Sequence, residues 1–249
     1  MFPNLCVLNI IIPVYPLCIA TGFLFGTLIV MHLGKKFGIS ENKILVLICF
    51  AEIGVIIGGK ILFLLINIHN LTWIFEKFGF FAIFTKTGFV FYGGLFGGVI
   101  AVFSFSKIYK ISVYENLSLV LSVTPLIHAF GRIGCLFAGC CYGIEWTRWS
   151  AIFLHNAYRF PVQLLEAALN LVLFYLLQIF FTRKKEIVIS LYIGGYGMIR
   201  FFCEFFRGDE SRGFIGPLSV SAWISIMFIV MSFCVILIRS KNLLEKNRK

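Results

Sequence analysis

Apolar residues run along this chain in long blocks broken by short polar or charged connections. Reading block by block predicts spans near 14–33, 43–66, 88–106, 113–130, 161–181, 187–206 and 218–238. Each is about the ~20 residues that an α-helix needs to cross a bilayer. The pattern predicts an all-α polytopic membrane protein of about seven transmembrane helices, organised as a single transmembrane domain over 1–249. The stretch 67–87 is aromatic and mildly charged and reads as interfacial. Segment 131–160, with its glycines, cysteines and arginines, reads as an ordered loop or re-entrant region. Glycines recur four apart at Gly22 and Gly26, Gly54 and Gly58, Gly93 and Gly97, and Gly94 and Gly98. That spacing lets helix backbones approach closely in lipid.

Composition supports the membrane reading: 60% of the 249 residues are hydrophobic and 13% charged, with a mean hydropathy of +0.96. So few charges cannot cover a water-soluble surface. The net charge is +11, yet the basic residues fall in short clusters between apolar blocks. They suit loops on the cytoplasmic side of a membrane, and no nucleic-acid partner is expected. Lys35, Lys36 and Lys43 occupy the first connection, Lys107 and Lys110 the third, Arg183, Lys184 and Lys185 the fifth, and Arg239 to Lys249 the tail. With those inside, the N-terminus is outside and the C-terminus cytoplasmic. No Lys or Arg precedes Lys35, so the start does not read as a cleavable signal peptide. The same alternation puts Arg132, Arg148, Arg159, Arg207 and Arg212 on the outer side, where charge bias alone would not place them.

Four segments carry candidate chemistry. In YGMIRFFCEFFRGD, helical spacing sets Tyr196, Arg200, Glu204 and Arg207 on one face. Arg200 and Glu204 can satisfy each other within a span, where an unpaired ion costs at least a few kcal/mol. Either this is a helix-stabilising pair, or two guanidinium groups on one stripe form an anion site suited to a phosphodiester. In HAFGRIGCLFAGCCYG, Gly131, Gly134, Gly139 and Gly143 permit tight turns and close backbone approach around Arg132. His128 stands one helical turn before that arginine. Cys135, Cys140 and Cys141 lack the paired spacing of a zinc motif, so no metal is expected; a disulfide or simple packing are the other readings.

In RFPVQLLEA, Pro161 starts a helix, with Gln163 and Glu166 near its first turn. Those two residues either serve capping and packing or belong to a site. GFVFYGGLFGG places Tyr92, Gly93 and Gly94 at a glycine-lined helix start.

Together these segments resemble the prolipoprotein diacylglyceryl transferase family. GRIG with Gly143 is similar to the family's signature loop, FYGGLFGG to its His-Gly-Gly segment, PVQLLE to its Pro-x-Gln-Leu-Tyr-Glu segment, and YGMIRFFCEFFR to its Tyr-Gly-x-x-Arg segment. The resemblance implies transfer of diacylglyceryl from phosphatidylglycerol to the lipobox cysteine thiol of preprolipoproteins, at the outer leaflet of the bacterial cytoplasmic (inner) membrane. It implies Arg132, Arg200, Glu204 and Tyr92 as catalytic residues, with Arg132 and Arg200 on the headgroup and Glu204 orienting Arg200. Gly93, Gly94, Gly131, Gly134, Gly143, Gln163, Glu166, Tyr196 and Arg207 join Arg132 as substrate-binding residues. The expected partners are phosphatidylglycerol, lipobox peptides and the bilayer, for a monomer needing no cofactor.

The chain departs from the family pattern at several points. Tyr92 stands where the family has histidine, Cys135 and Ala138 where it has asparagines, and Cys140 where it has glutamate. Phe160 replaces the histidine before Pro161, and Leu165 the tyrosine before Glu166. The base is unassigned, with His128 and Glu166 as candidates. The competing readings are a non-catalytic lipid- or anion-binding paralogue, and a Cys/His redox or metal-handling membrane protein.

Overall fold

A computed structural model describes residues 4–7, 10–36, 38–70, 72, 76, 88–209 and 213–246. Seven helices among them are long and apolar enough to cross a membrane. They are α1 (Val14–Lys36), α2 (Glu41–Ile66), α3 (Phe91–Ile108), α4 (Val113–Ala138), α5 (Val162–Arg183), α6 (Val188–Glu204) and α7 (Val220–Lys246). A 3-10 turn at Lys185–Ile187 leads into α6. A second 3-10 turn at Ile68–Asn70 and three short antiparallel hairpins complete the described elements, the hairpins being β1 (Asn4–Val7) with β2 (Ile10–Pro13), β3 (Ile152–Leu154) with β4 (Ala157–Arg159), and β5 (Phe214–Ile215) with β6 (Leu218–Ser219). The stretch 67–87, expected at the interface, falls mostly outside the described residues.

The seven expected spans are all present as helices, and one differs in kind from its expectation. The span expected at 113–130 continues unbroken to Ala138 as α4, so the segment expected to leave the helix at 131 leaves it at Gly139. Gly131 and Gly134 therefore lie within a helix and make no tight turn. Two glycines do not break a helix whose other residues pack well, because each costs only about 1 kcal/mol relative to Ala.

Burial is inverted relative to a water-soluble protein. Ile53, Ile57, Ile61 and Leu65 of α2, Val172 and Tyr175 of α5, and Val230 and Phe233 of α7 are exposed, whereas Gln163, Glu166, Asn170, Arg200, Glu204, Arg207 and Asp209 are buried. Lipid solvates the apolar stripes, and ionised groups survive only where protein partners surround them.

The chain divides into two compact units, Met1–Ile29 with Leu121–Lys249, and Val30–Val120. In the second, the expected small-residue seam joins α2 to α3. A Cβ at Gly58 would stand 2.3 Å from the Gly93 carbonyl oxygen, and one at Gly97 would stand 2.2 Å from that of Gly54. Asn116 donates to Ser106 Oγ at 2.9 Å, closing a buried polar contact between α3 and the start of α4. Lys35 pairs with Glu41 at 2.7 Å across the α1–α2 turn.

The first unit packs its helices through glycine in the same way. Gly22 and Gly26 of α1 meet Phe130 and Ile127 of α4, while Gly131 and Gly134 of α4 meet Ile19, Tyr15 and Cys18 of α1. On α6, Gly194 faces Ser232, Gly195 faces Leu173 and Gly197 faces the Ser225 carbonyl. Ser232 also donates to the Ser190 carbonyl at 2.7 Å. Close packing of these glycines on both flanks lets α5 and α7 bring their N-terminal turns up to the C-terminal half of α6.

A candidate anion site at four helix ends

The ends that meet in the first unit are the C-terminal parts of α4 and α6 and the N-terminal parts of α5 and α7. Glu166, on the second turn of α5, reaches two cations. Its Oε1 lies 3.0 Å from Arg132 Nη2 of α4, and its Oε2 lies 3.9 Å from Arg200 Nη1 of α6. Arg200 pairs further with Glu204 at 2.9 Å, one turn along α6, and donates from Nη2 to Ser221 Oγ at 3.0 Å at the start of α7. Two arginines and two glutamates thus form a chain of net charge zero. The Glu166, Arg200 and Glu204 side chains are 3%, 5% and 8% exposed, against 19% for Arg132. Arg132 is the most exposed member of the network.

The Arg200–Glu204 pair follows the helical spacing. Arg207 does not share that stripe: α6 ends at Glu204, Phe205 and Phe206 turn, and Arg207 lies in extended backbone bridged to Gly143. Its guanidinium donates from Nε to Asp209 Oδ1 at 2.8 Å and from Nη2 to Oδ2, a bidentate pair. Burial disfavours the cation, but the hydrogen bonds and charge of Asp209, with Cys141 adding to them, together hold the Arg207 pKa above the ordinary arginine value. With its fork already filled, Arg207 serves the frame of the site.

That frame is built on Gly143. A Cβ there would sit 2.2 Å from the Phe160 oxygen and 3.0 Å from the Phe206 oxygen, so glycine lets three backbone segments stack. Ile144 N donates to Phe206 O at 3.0 Å, Gly208 N to Tyr142 O at 2.9 Å, and Phe160 N to Ile144 O at 2.9 Å. Arg159 reinforces the stack, donating to the Leu154 and Gly143 carbonyls at 3.2 and 3.3 Å and covering the Tyr142 ring at 4.4 Å. Its charge is therefore used within the loop.

Gln163, one turn before Glu166, donates from Nε2 to the Cys140 carbonyl at 2.9 Å. Its buried Oε1 has no hydrogen-bond partner among the described residues. Tyr196 stacks on Tyr192 at 6.1 Å and meets the His128 ring edge-on at 4.8 Å. His128 is thus packed against an aromatic ring one turn before Arg132.

Tyr92, Gly93 and Gly94 belong to the second unit. Tyr92 stacks edge-on against Phe91 at 5.5 Å in the first turn of α3, and both glycines face α2. One contributor carried no motif signal: Ser221 is an unremarkable serine at a helix start. Glu166 and Arg132 each stood in a motif, but the link between them spans 34 positions of sequence.

The sequence model of the prolipoprotein diacylglyceryl transferase family matches residues 3–238, which take in every element of this network. The chain belongs to that family. Three curated relatives share the name phosphatidylglycerol–prolipoprotein diacylglyceryl transferase. The Clostridium tetani (strain Massachusetts / E88) protein is 34% identical over 235 residues, covering 89% of this chain and 90% of its own. A Clostridium perfringens (strain 13 / Type A) protein, numbered 2 under that name, is 33% identical over 229 residues, covering 87% and 86%. One from Helicobacter pylori (strain HPAG1) is 28% identical over 249 residues, covering 92% and 88%. As a transferase of this family, the chain keeps a buried arginine–glutamate network while carrying three cysteines in its signature loop.

Cys135, Cys140 and Cys141 are all free thiols, and their Sγ atoms lie within 4.8 Å of one another. Hydrogen bonds from the Cys135 and Cys140 thiols draw the Cys141 pKa well below the usual thiol range. Burial opposes that shift, and Arg132 and Arg207 add to it.

Proposed function

We propose that this protein transfers the diacylglyceryl group of phosphatidylglycerol to the lipobox cysteine of preprolipoproteins, with Arg132 and Arg200 as the phosphate cradle. The observation that carries this reading is Glu166 joining the two arginines, in a chain of the diacylglyceryl transferase family. In the reaction the acceptor sulfur forms a bond to the glyceryl carbon and the carbon–oxygen bond to phosphate breaks. The thiol proton passes to a base or to solvent, and glycerol 1-phosphate leaves. Charge concentrates on the departing phosphate, so fixed cations that need no reorganisation lower the barrier.

Arg132, the more open arginine, meets the headgroup, and Arg200, held by Glu204 and Ser221, presents a preset fork. The unsatisfied Gln163 Oε1 suits a hydroxyl of the headgroup glycerol, since a buried acceptor without a donor costs about 1–3 kcal/mol. Glu166 is committed to two guanidinium groups and acts as a positioning residue. The site faces the outer leaflet, the N-terminus is outside and the C-terminus cytoplasmic, in keeping with the basic connections.

The test uses purified full-length protein in phosphatidylglycerol micelles with a lipobox peptide, reading peptide mass and released glycerol phosphate together. Arg132→Ala and Arg200→Ala should each lower turnover by about 10²–10³-fold, the usual loss of a fixed oxyanion partner. Retained phosphatidylglycerol with no glycerol phosphate released by the unmodified protein would establish a binding protein instead.

A further inference from the structure

The chain leaving α4 bends sharply at two residues with positive φ, Gly139 at +75° and Cys141 at +56°. Glycine takes that conformation without penalty, whereas cysteine pays on the order of 1 kcal/mol and stays only if its surroundings hold it. Three hydrogen bonds do so. Gln163 donates to Cys140 O at 2.9 Å, Gly208 N donates to Tyr142 O at 2.9 Å, and His155 Nε2 lies 2.7 Å from Gly139 O.

The bend folds Cys140 and Cys141 back over Cys135 in the last turn of α4, which gathers the three sulfurs within 4.8 Å. Packing alone does not require a left-handed cysteine beside two other thiols. Cys135 is buried, Cys141 half-buried and Cys140 exposed, so the group is walled on one side and open on the other.

We propose that Cys135, Cys140 and Cys141 form a three-sulfur site for a soft divalent metal ion of the zinc class, with a fourth position left to solvent. The proposal stands apart from the transferase reading and does not need it. Soft thiolates select such ions over magnesium or calcium. Tetrahedral coordination at about 2.3 Å per Zn–S bond sets sulfurs about 3.8 Å apart, so closing the group takes about 1 Å, within reach of side-chain rotation. As each sulfur–metal bond forms the thiol gives its proton to solvent, and no electron is transferred. Three thiolates around a dication leave one net negative charge, which Arg132 and Arg207, within electrostatic reach of Cys141, offset. Loading would also stiffen the Cys140 carbonyl that Gln163 holds, and Cys135 lies one helical turn from Arg132.

The experiment takes the reduced full-length protein in detergent, stripped with chelator, and titrates it with zinc against a fluorescent competitor. One zinc per chain is expected, with X-ray absorption of the unmodified protein showing three sulfur neighbours near about 2.3 Å. Cys140→Ser and Cys141→Ser should each weaken binding at least about tenfold, while Cys234→Ser changes nothing. The proposal is overturned by substoichiometric uptake, by zinc ligated through nitrogen and oxygen alone, or by equal uptake in the triple serine variant. A disulfide joining two of the three cysteines in protein isolated from membranes without reductant overturns it as well.

Discussion

Glu166 is held from two sides, because each carboxylate oxygen faces a different arginine. Glu166→Gln keeps the shape and removes the charge, leaving Arg132 without its carboxylate partner and Arg200 with Glu204 and Ser221. Breaking a buried pair in this way costs about 3–5 kcal/mol, so the variant should unfold at lower temperature in a detergent melt. Its kinetics separate two roles. One extra net positive charge favours an anionic headgroup, so KM for phosphatidylglycerol should fall. The loosened guanidinium groups stabilise the leaving phosphate less well, so kcat should fall too. A variant with normal kcat would show that Glu166 does not position the arginines.

Single-residue reading found Arg200 with Glu204 because the pair is local to one helix turn. It missed Asp209 as the partner of Arg207, although both stand in the same motif, because helical spacing was carried past the point where α6 ends.

At the scale of elements, small residues decide which helices touch. Gly54 and Gly58 of α2 face Gly93 and Gly97 of α3 so closely that a Cβ at Gly97 would fall 2.2 Å from a carbonyl oxygen. Backbone cannot give way as a side-chain tip can. Gly97→Val should therefore separate the two helices and destabilise by about 1–3 kcal/mol, the range of overpacking in a tight interior. Thermal aggregation measured against an exposed control, Ile100→Val, checks this; an unchanged midpoint would mean the seam does not hold the helices.

This seam was legible from glycine spacing, and so were the seven spans, since each depends on a run of nearby residues. The end of α4 was not, because glycines and an arginine look like loop chemistry when no neighbour is in view. Packed against α1, Gly131 and Gly134 of α4 make a helix seam, and Gly139, five residues after Gly134, makes the turn. The convergence of three thiols escaped for a related reason. Their spacing matches no zinc motif, and the positive φ at Gly139 and at Cys141 folds them together.

At the scale of the molecule, the ends bearing the network are the C-terminal ends of α4 and α6 and the N-terminal ends of α5 and α7. In a chain of successive spans these four ends fall on one side of the bilayer by alternation alone, so the site needs no irregular topology. The opposite ends carry Lys107 and Lys110 before α4, Arg183, Lys184 and Lys185 between α5 and α6, and the basic tail after α7. Cytoplasmic loops hold such clusters, so the orientation we propose puts the arginines of the site outside, where carboxylates pair them. The orientation we propose is open to direct measurement with a membrane-impermeant maleimide on intact cells. Single cysteines introduced at Trp149, which is 98% exposed, and at Lys184 provide the two probes, in a background with the native cysteines replaced by alanine. Trp149→Cys should label without permeabilisation and Lys184→Cys only after it. The reverse pattern would put the cradle on the cytoplasmic face, away from the outer-leaflet reaction proposed for it.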